Sequence, residues 1–136
     1  MTGSSSRSCY CIALRAASRR LTALYDAALQ PAGINVAQFS LLRNVERAQP
    51  VSLTELGRRM ELDRSTVGRN VRLLQRMGLV RMTPGSDQRE ASVGLEPAGR
   101  EVLSQAIPVW QGVQDMIQAQ LGEEAAGQLR DLLARL

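Results

Sequence analysis

The chain has 136 residues, 44% of them hydrophobic and 22% charged, with a net charge of +4; this suits one ordinary folded domain and not a disordered tail. All 17 basic residues are arginine, and neither lysine nor histidine occurs. That excludes a histidine base or metal ligand, a Schiff-base lysine and a lysine-bearing phosphate loop.

From about Cys9 to Gln30, apolar residues (Ile12, Leu14, Ala17, Leu21, Leu24, Ala28, Leu29) recur at mostly helical intervals. Pro31-Ala32-Gly33 breaks that helix. Asn35 and Gln38 form a capping pair for a second helix that ends near Arg47, before Ala48-Gln49-Pro50. Ser52 and Glu55 make an S-x-x-E capping box for a short helix to about Met60. Glu61-Leu62-Asp63 reads as a tight turn. Asp63 caps a helix over Arg64 to Met77, and Gly78 suits a left-handed terminator. The period then shortens. Residues 79–83 and 91–95 read as two short strands joined by a loop of turn formers, Pro84 to Glu90. Pro97 opens a long helix to Leu121, with Pro108 expected to kink it. Gly122 separates a last helix, Glu123 to Leu136. The predicted fold class is mainly α with a small β-ribbon.

Charge divides along the chain. Arg58 to Arg89 holds eight arginines and three acids, whereas Glu90 to Leu136 holds three arginines and seven acids. The middle suits a polyanion, although a charge run can also be a solvated face. Two short helices across a three-residue turn, followed by a ribbon, describe a winged helix-turn-helix. At 100° per residue, Val71 and Leu74 lie within about 40° of Val67 on the second helix. Ser65, Arg69, Arg72 and Arg76 cluster roughly 140–200° away. The N-terminal residues of a recognition helix go deepest, so Ser65, Thr66 and Arg69 are candidates for base edges. Arg72 and Arg76 sit better for phosphates. No acid falls between Arg64 and Arg81, where an ordinary solvated helix would mix signs. Asn70 lies nearer the apolar side and is expected to be structural. In the loop, Arg89 has the shape and charge to enter a minor groove, with Asp87 holding Arg64 or Arg89 in place.

Leu53-Thr-Glu-Leu-Gly-Arg-Arg-Met60, Leu62-Asp-Arg-Ser-Thr-Val67, Leu73-Leu-Gln-Arg-Met-Gly-Leu-Val80 and Asp87-Gln-Arg89 resemble the MarR family of bacterial transcriptional regulators. The resemblance spans nearly the whole chain, and the D-x-R wing is its specific part. It implies a homodimer with intertwined first and last helices, and a pseudo-palindromic double-stranded DNA operator. It also implies repression relieved by a small ligand or by thiol oxidation. By position, Arg89 is then the minor-groove arginine, Asp87 its support, and Arg64 to Arg69 the major-groove end. The expected organisation is one winged-helix domain over 1–136, with a DNA-binding lobe at 36–95 and dimerisation helices at 8–30 and 97–136. The physics agrees with dimerisation, because a last helix this short is unstable alone and its leucines need a partner surface, although packing within the monomer is the plainer reading for some of these residues.

Cys11, with Tyr25 further along the same helix, is similar to the opening helix of the organic-peroxide-sensing branch of that family. Arg15 stands where that branch has a tyrosine, and Val36 replaces a second. Cys11 near a helix start, with Arg15 one turn on, favours thiolate. Residues 9 and 11 project about 200° apart on a helix, so a Cys9–Cys11 disulfide needs unwinding; a sulfenic acid or intersubunit bridge is easier. Cysteine is equally a small buried residue. Two cysteines neither staple a fold nor fill a four-ligand zinc site, so no metal and no cofactor are expected. Aromatics, at 3%, are too few for single-strand stacking platforms. Residues 1–8 lack a signal-peptide core, and no run is long enough for a membrane span, so a cytoplasmic, non-enzymatic protein is expected. Two other readings stand beside this one. One is a helical protein-interaction module without sequence-specific DNA binding. The other is a thiol peroxidase using Cys11.

Overall fold

The computed structural model describes residues 9–85 and 90–136. The chain forms α1 (Tyr10–Leu29), a 3-10 turn (Gln30–Ala32), α2 (Val36–Ala48), β1 (Val51–Ser52), α3 (Leu53–Met60), α4 (Arg64–Arg76), β2 (Val80–Thr83), β3 (Ser92–Leu95), α5 (Pro97–Leu121) and α6 (Glu123–Ala134). Most of these boundaries follow from local chemistry. Asn35 and Gln38 cap α2 reciprocally, each side chain bonded to the other's backbone N–H. Gly78 has a φ of 80° just after α4, a conformation that costs glycine little. α5 remains one helical element from Pro97 to Leu121 with Pro108 inside it.

At two points the structure differs from the sequence reading. The expected two-stranded ribbon is a three-stranded antiparallel sheet in the order β1-β3-β2, because Val51 and Ser52 pair with Val93 and Ser92. The Ser52–Glu55 box is half made. Ser52 accepts the Glu55 N–H at 3.0 Å, but the Glu55 carboxylate turns to Arg58 and Arg59 at 3.0 and 2.9 Å. Two guanidiniums one turn on offer charge-assisted bonds stronger than a single backbone amide.

One core runs through the middle of the chain. Leu41, Leu42 and Val45 of α2, Leu56 of α3, Val67, Val71 and Leu74 of α4, and Val93 and Leu95 of β3 are buried together. Phe39 and Trp110 stack at 5.4 Å and tie α2 to α5. Asp26 of α1 accepts the Val36 N–H at 2.8 Å, which docks the end of α1 on the start of α2. The rest of α1 is barely covered. Leu29 is its one buried residue, and Tyr10 is 83% exposed. Among the described residues, no helix is long and apolar enough to cross a membrane.

Candidate nucleic-acid interface

The turn between α3 and α4 is built by close approach. Leu62 N–H donates to Gly57 C=O at 2.9 Å, and a Cβ on Gly57 would stand 2.8 Å from the Leu62 carbonyl oxygen. Only glycine lets the turn pass that near. Glu61 takes a left-handed φ of 55°, and Asp63 then starts α4. One Asp63 oxygen accepts the Thr66 N–H at 2.7 Å and the Ser65 hydroxyl at 2.8 Å; the other accepts the Thr66 hydroxyl at 3.0 Å. These bonds, the Thr66 amide first, hold the Asp63 carboxyl down at about 2. Thr66 in turn accepts from Arg69 at 3.3 Å. A chain of hydrogen bonds thus runs up the first turns of the helix and orders the side chains on its front.

The two-faced α4 expected from its periodicity is present. Val67, Val71 and Leu74 are fully buried, while Ser65, Arg69, Arg72 and Arg76 are exposed and Thr66 is half-buried. Arg72 folds back over Gly68, whose Cβ, if added, would lie 3.4 Å from its guanidinium nitrogens. Among the described residues, none of Arg69, Arg72 or Arg76 forms a salt bridge, in contrast to Arg58 and Arg59, both held by Glu55. Those two bonds, led by Arg58, also keep the Glu55 carboxyl below its ordinary range. Arg64 is the exception on α4, with its guanidinium 3.9 Å from Glu90. Asn70 is exposed and borders a small hollow against Asn35, Gln38 and Leu41 of α2, so it faces the neighbouring helix. The expected wing residues Asp87 and Arg89 lie outside the described residues, as does any bond from Asp87 to Arg64 or Arg89.

The effector candidates are not gathered into one site. Cys9 and Cys11 are free and exposed at the start of α1. Cys9 is the N-cap with extended ψ 124°, so the 200° helical projection between the two cysteines applies only from residue 10 onward. Arg15 is exposed. Tyr25 lies fourteen residues beyond Cys11, about 21 Å along the axis at the helical rise, so the two do not meet within one chain. Its hydroxyl donates to Gln114 of α5 instead. Burial raises its pKa while Arg130 pulls it down, and the phenol stays protonated.

A helix-turn-helix backed by a small sheet, with three guanidiniums on its second helix outside any salt bridge among the described residues, defines a winged-helix regulator that binds DNA. Comparison with known proteins places it further. Residues 32–90 match the MarR family. A crystal structure of the transcriptional regulator MosR of M. tuberculosis in complex with DNA is 35% identical, with a TM-score of 0.87 over 94% of this chain and 92% of that one. A probable transcriptional regulator from Pseudomonas aeruginosa is 28% identical, with a TM-score of 0.84 over 93% and 95%. The repressor CouR, bound to a 23-mer DNA duplex, shares the fold at a TM-score of 0.89 over 99% and 96%, with 23% identity. None of the curated proteins matches the chain in sequence. The chain belongs to the MarR family of transcriptional regulators.

Glu90 and Thr54 escaped the sequence reading. Glu90 counted there only as an acid in the C-terminal tally, and the signal that would have found it is the pairing of β1 with β3.

Proposed function

We propose that the protein is a homodimeric, sequence-specific repressor that binds a pseudo-palindromic DNA duplex and is released by a small ligand or by thiol oxidation. The observation that carries this reading is α4, with its back sealed into the core and its front lined by Arg69, Arg72 and Arg76, none of which forms a salt bridge among the described residues. Those three guanidiniums meet a polyanion without first giving up an ion pair. In this reading, residues 36–95 form the DNA-binding lobe. Ser65, Thr66 and Arg69 meet base edges, Arg72 and Arg76 meet phosphates, and Arg89 on the wing enters the minor groove with Asp87 as its support. The relatives crystallised with DNA support it.

A second copy of the chain covers the terminal helices, over residues 8–30 and 97–136. Ile12, Leu24, Leu121 and Leu132 are exposed there, and an apolar groove of about 500 Å³ lies between Leu14, Leu21, Leu129 and Leu133. A two-fold pair presents two recognition helices to half-sites one helical turn apart, or a multiple of that. Oxidation acts at Cys9 or Cys11, which are free and exposed at the start of α1, within reach of an oxidant. A hydroperoxide converts that thiol to sulfenic acid and leaves as an alcohol. The protein works by binding and not as an enzyme, in the cytoplasm, where thiols are kept reduced.

Selection of bound duplexes from a random pool, repeated with peroxide and with reductant, tests the whole reading. One inverted repeat should be enriched and then lost on oxidation. If no sequence is enriched, the reading fails. Arg69→Ala should relax preference at one base pair of each half-site by about 1–3 kcal/mol of discrimination. Uniform weakening across all sequences would move Arg69 from bases to phosphates.

A further inference from the structure

Glu90 stands at the foot of the wing, two places before Ser92 opens β3. Its partners come from two other elements. Its Oε1 accepts the Thr54 hydroxyl at 2.9 Å, and an Arg64 guanidinium nitrogen lies 3.9 Å from the same oxygen. Thr54 is the second residue of α3, and Arg64 is the first of α4. Strand register accounts for the placement. Val51 pairs with Val93 and Ser52 with Ser92, and this pairing holds the start of α3 beside the residues just before β3, where Thr54 reaches Glu90. One carboxylate therefore joins the returning limb of the wing to both helices of the helix-turn-helix.

We propose that Glu90 is a specificity-determining residue, which withholds Arg64 from phosphates until the recognition helix is docked in register. The inference rests on the DNA-binding reading above and names a control on that interface. The pair is loose, with side chains 56% and 41% exposed, and such pairs are individually weak. A phosphate that approaches Arg64 in bidentate geometry displaces the carboxylate. A duplex held only by long-range attraction does not come close enough. It meets Arg64 as half of a neutral pair, with a carboxylate beside its own phosphates. Glu90 thereby lowers affinity for arbitrary duplexes more than for the operator, which widens the difference between them.

The test compares the wild-type protein with Glu90→Gln, Arg64→Ala, the double variant and Thr54→Val. Each is titrated over a range of salt against the selected operator and a scrambled duplex. Glutamine removes the charge and keeps an acceptor for Thr54. Glu90→Gln should bind the scrambled duplex about three- to tenfold tighter, with a log–log salt slope steeper by about 0.9, one additional phosphate neutralised. Operator affinity should rise less. Arg64→Ala in the Glu90→Gln background should abolish the gain, and Thr54→Val should keep the wild-type slope. The inference is overturned by an unchanged scrambled-duplex slope, by an equal gain on the operator, or by a gain that survives the loss of Arg64. Equal weakening on both duplexes with a lower melting temperature also overturns it, because it marks a purely structural role. Wild-type protein that binds neither duplex overturns the DNA reading itself, so the two failures remain distinct.

Discussion

Leu74 and Leu132 carry the same side chain into opposite surroundings: the first is sealed in the core at 0% exposure, the second is 51% exposed on the last helix. The contrast extends to the regions around them. Within the lobe, α2, α3, α4 and the sheet bury their leucines and valines in one another, and the charges they leave outside are mostly arginine. In α1 and α6, large apolar residues stay in solvent, and the two helices differ in charge: α1 carries three arginines and one acid, α6 one arginine and three acids. A single chain satisfies the lobe and leaves the terminal helices unfinished. Sequestering apolar area drives folding wherever the area is found, so the lobe closes on itself, and the apolar area left on the terminal helices is what the proposed second copy would cover.

The largest expected effect breaks the closed side of this comparison. Leu74→Ala should destabilise the lobe by about 2–5 kcal/mol, read as a lower urea midpoint at fixed protein concentration, since association also contributes to stability. A loss below about 1 kcal/mol would mean that the core around α4 is not tightly packed. Leu132→Glu attacks the open side. It should turn a dimer into a monomer in sedimentation, leave the helical content of the lobe in place, and weaken operator binding by about tenfold or more through loss of the second half-site. A monomeric wild-type protein would remove the contrast altogether.

The smallest effect sharpens the picture of α4. Asp63 titrates lower in the folded chain, at about 2 against an ordinary 3.8. Its contribution to stability is therefore complete above about pH 4 and is lost as the pH falls toward 2. Asp63→Asn caps without titrating, so its melting temperature should fall less than the wild type's across that window. Parallel curves would show that the cap bonds do not distinguish the ionised carboxyl.

Much of this was legible in the sequence where a period or a cap carried it. The two faces of α4 follow from its 3.6-residue repeat, and the Asn35–Gln38 box and Gly78 mark their helix ends unaided. β1 was not legible. It is two residues long, too short to show alternation, and Ser52 serves at once as strand residue and helix cap, so the capping signal hid the pairing. Glu90 went unnoticed for the same reason, since only the β1–β3 register puts it beside Thr54. The relation of Cys11 to Tyr25 came from a family resemblance, whereas the helical rise alone separates them within one chain. Asp87 and Arg89 are read from their motif.

The hydroxyl of Ser65 gives its hydrogen to Asp63, and it cannot offer that hydrogen outward as well. Toward a groove it shows lone pairs only. A base facing it has to bring the hydrogen, which adenine and cytosine do through their exocyclic amines and thymine, with a carbonyl and a methyl, does not. In the base-edge role proposed for Ser65, the cap that starts the helix would also decide which bases its first turn can greet.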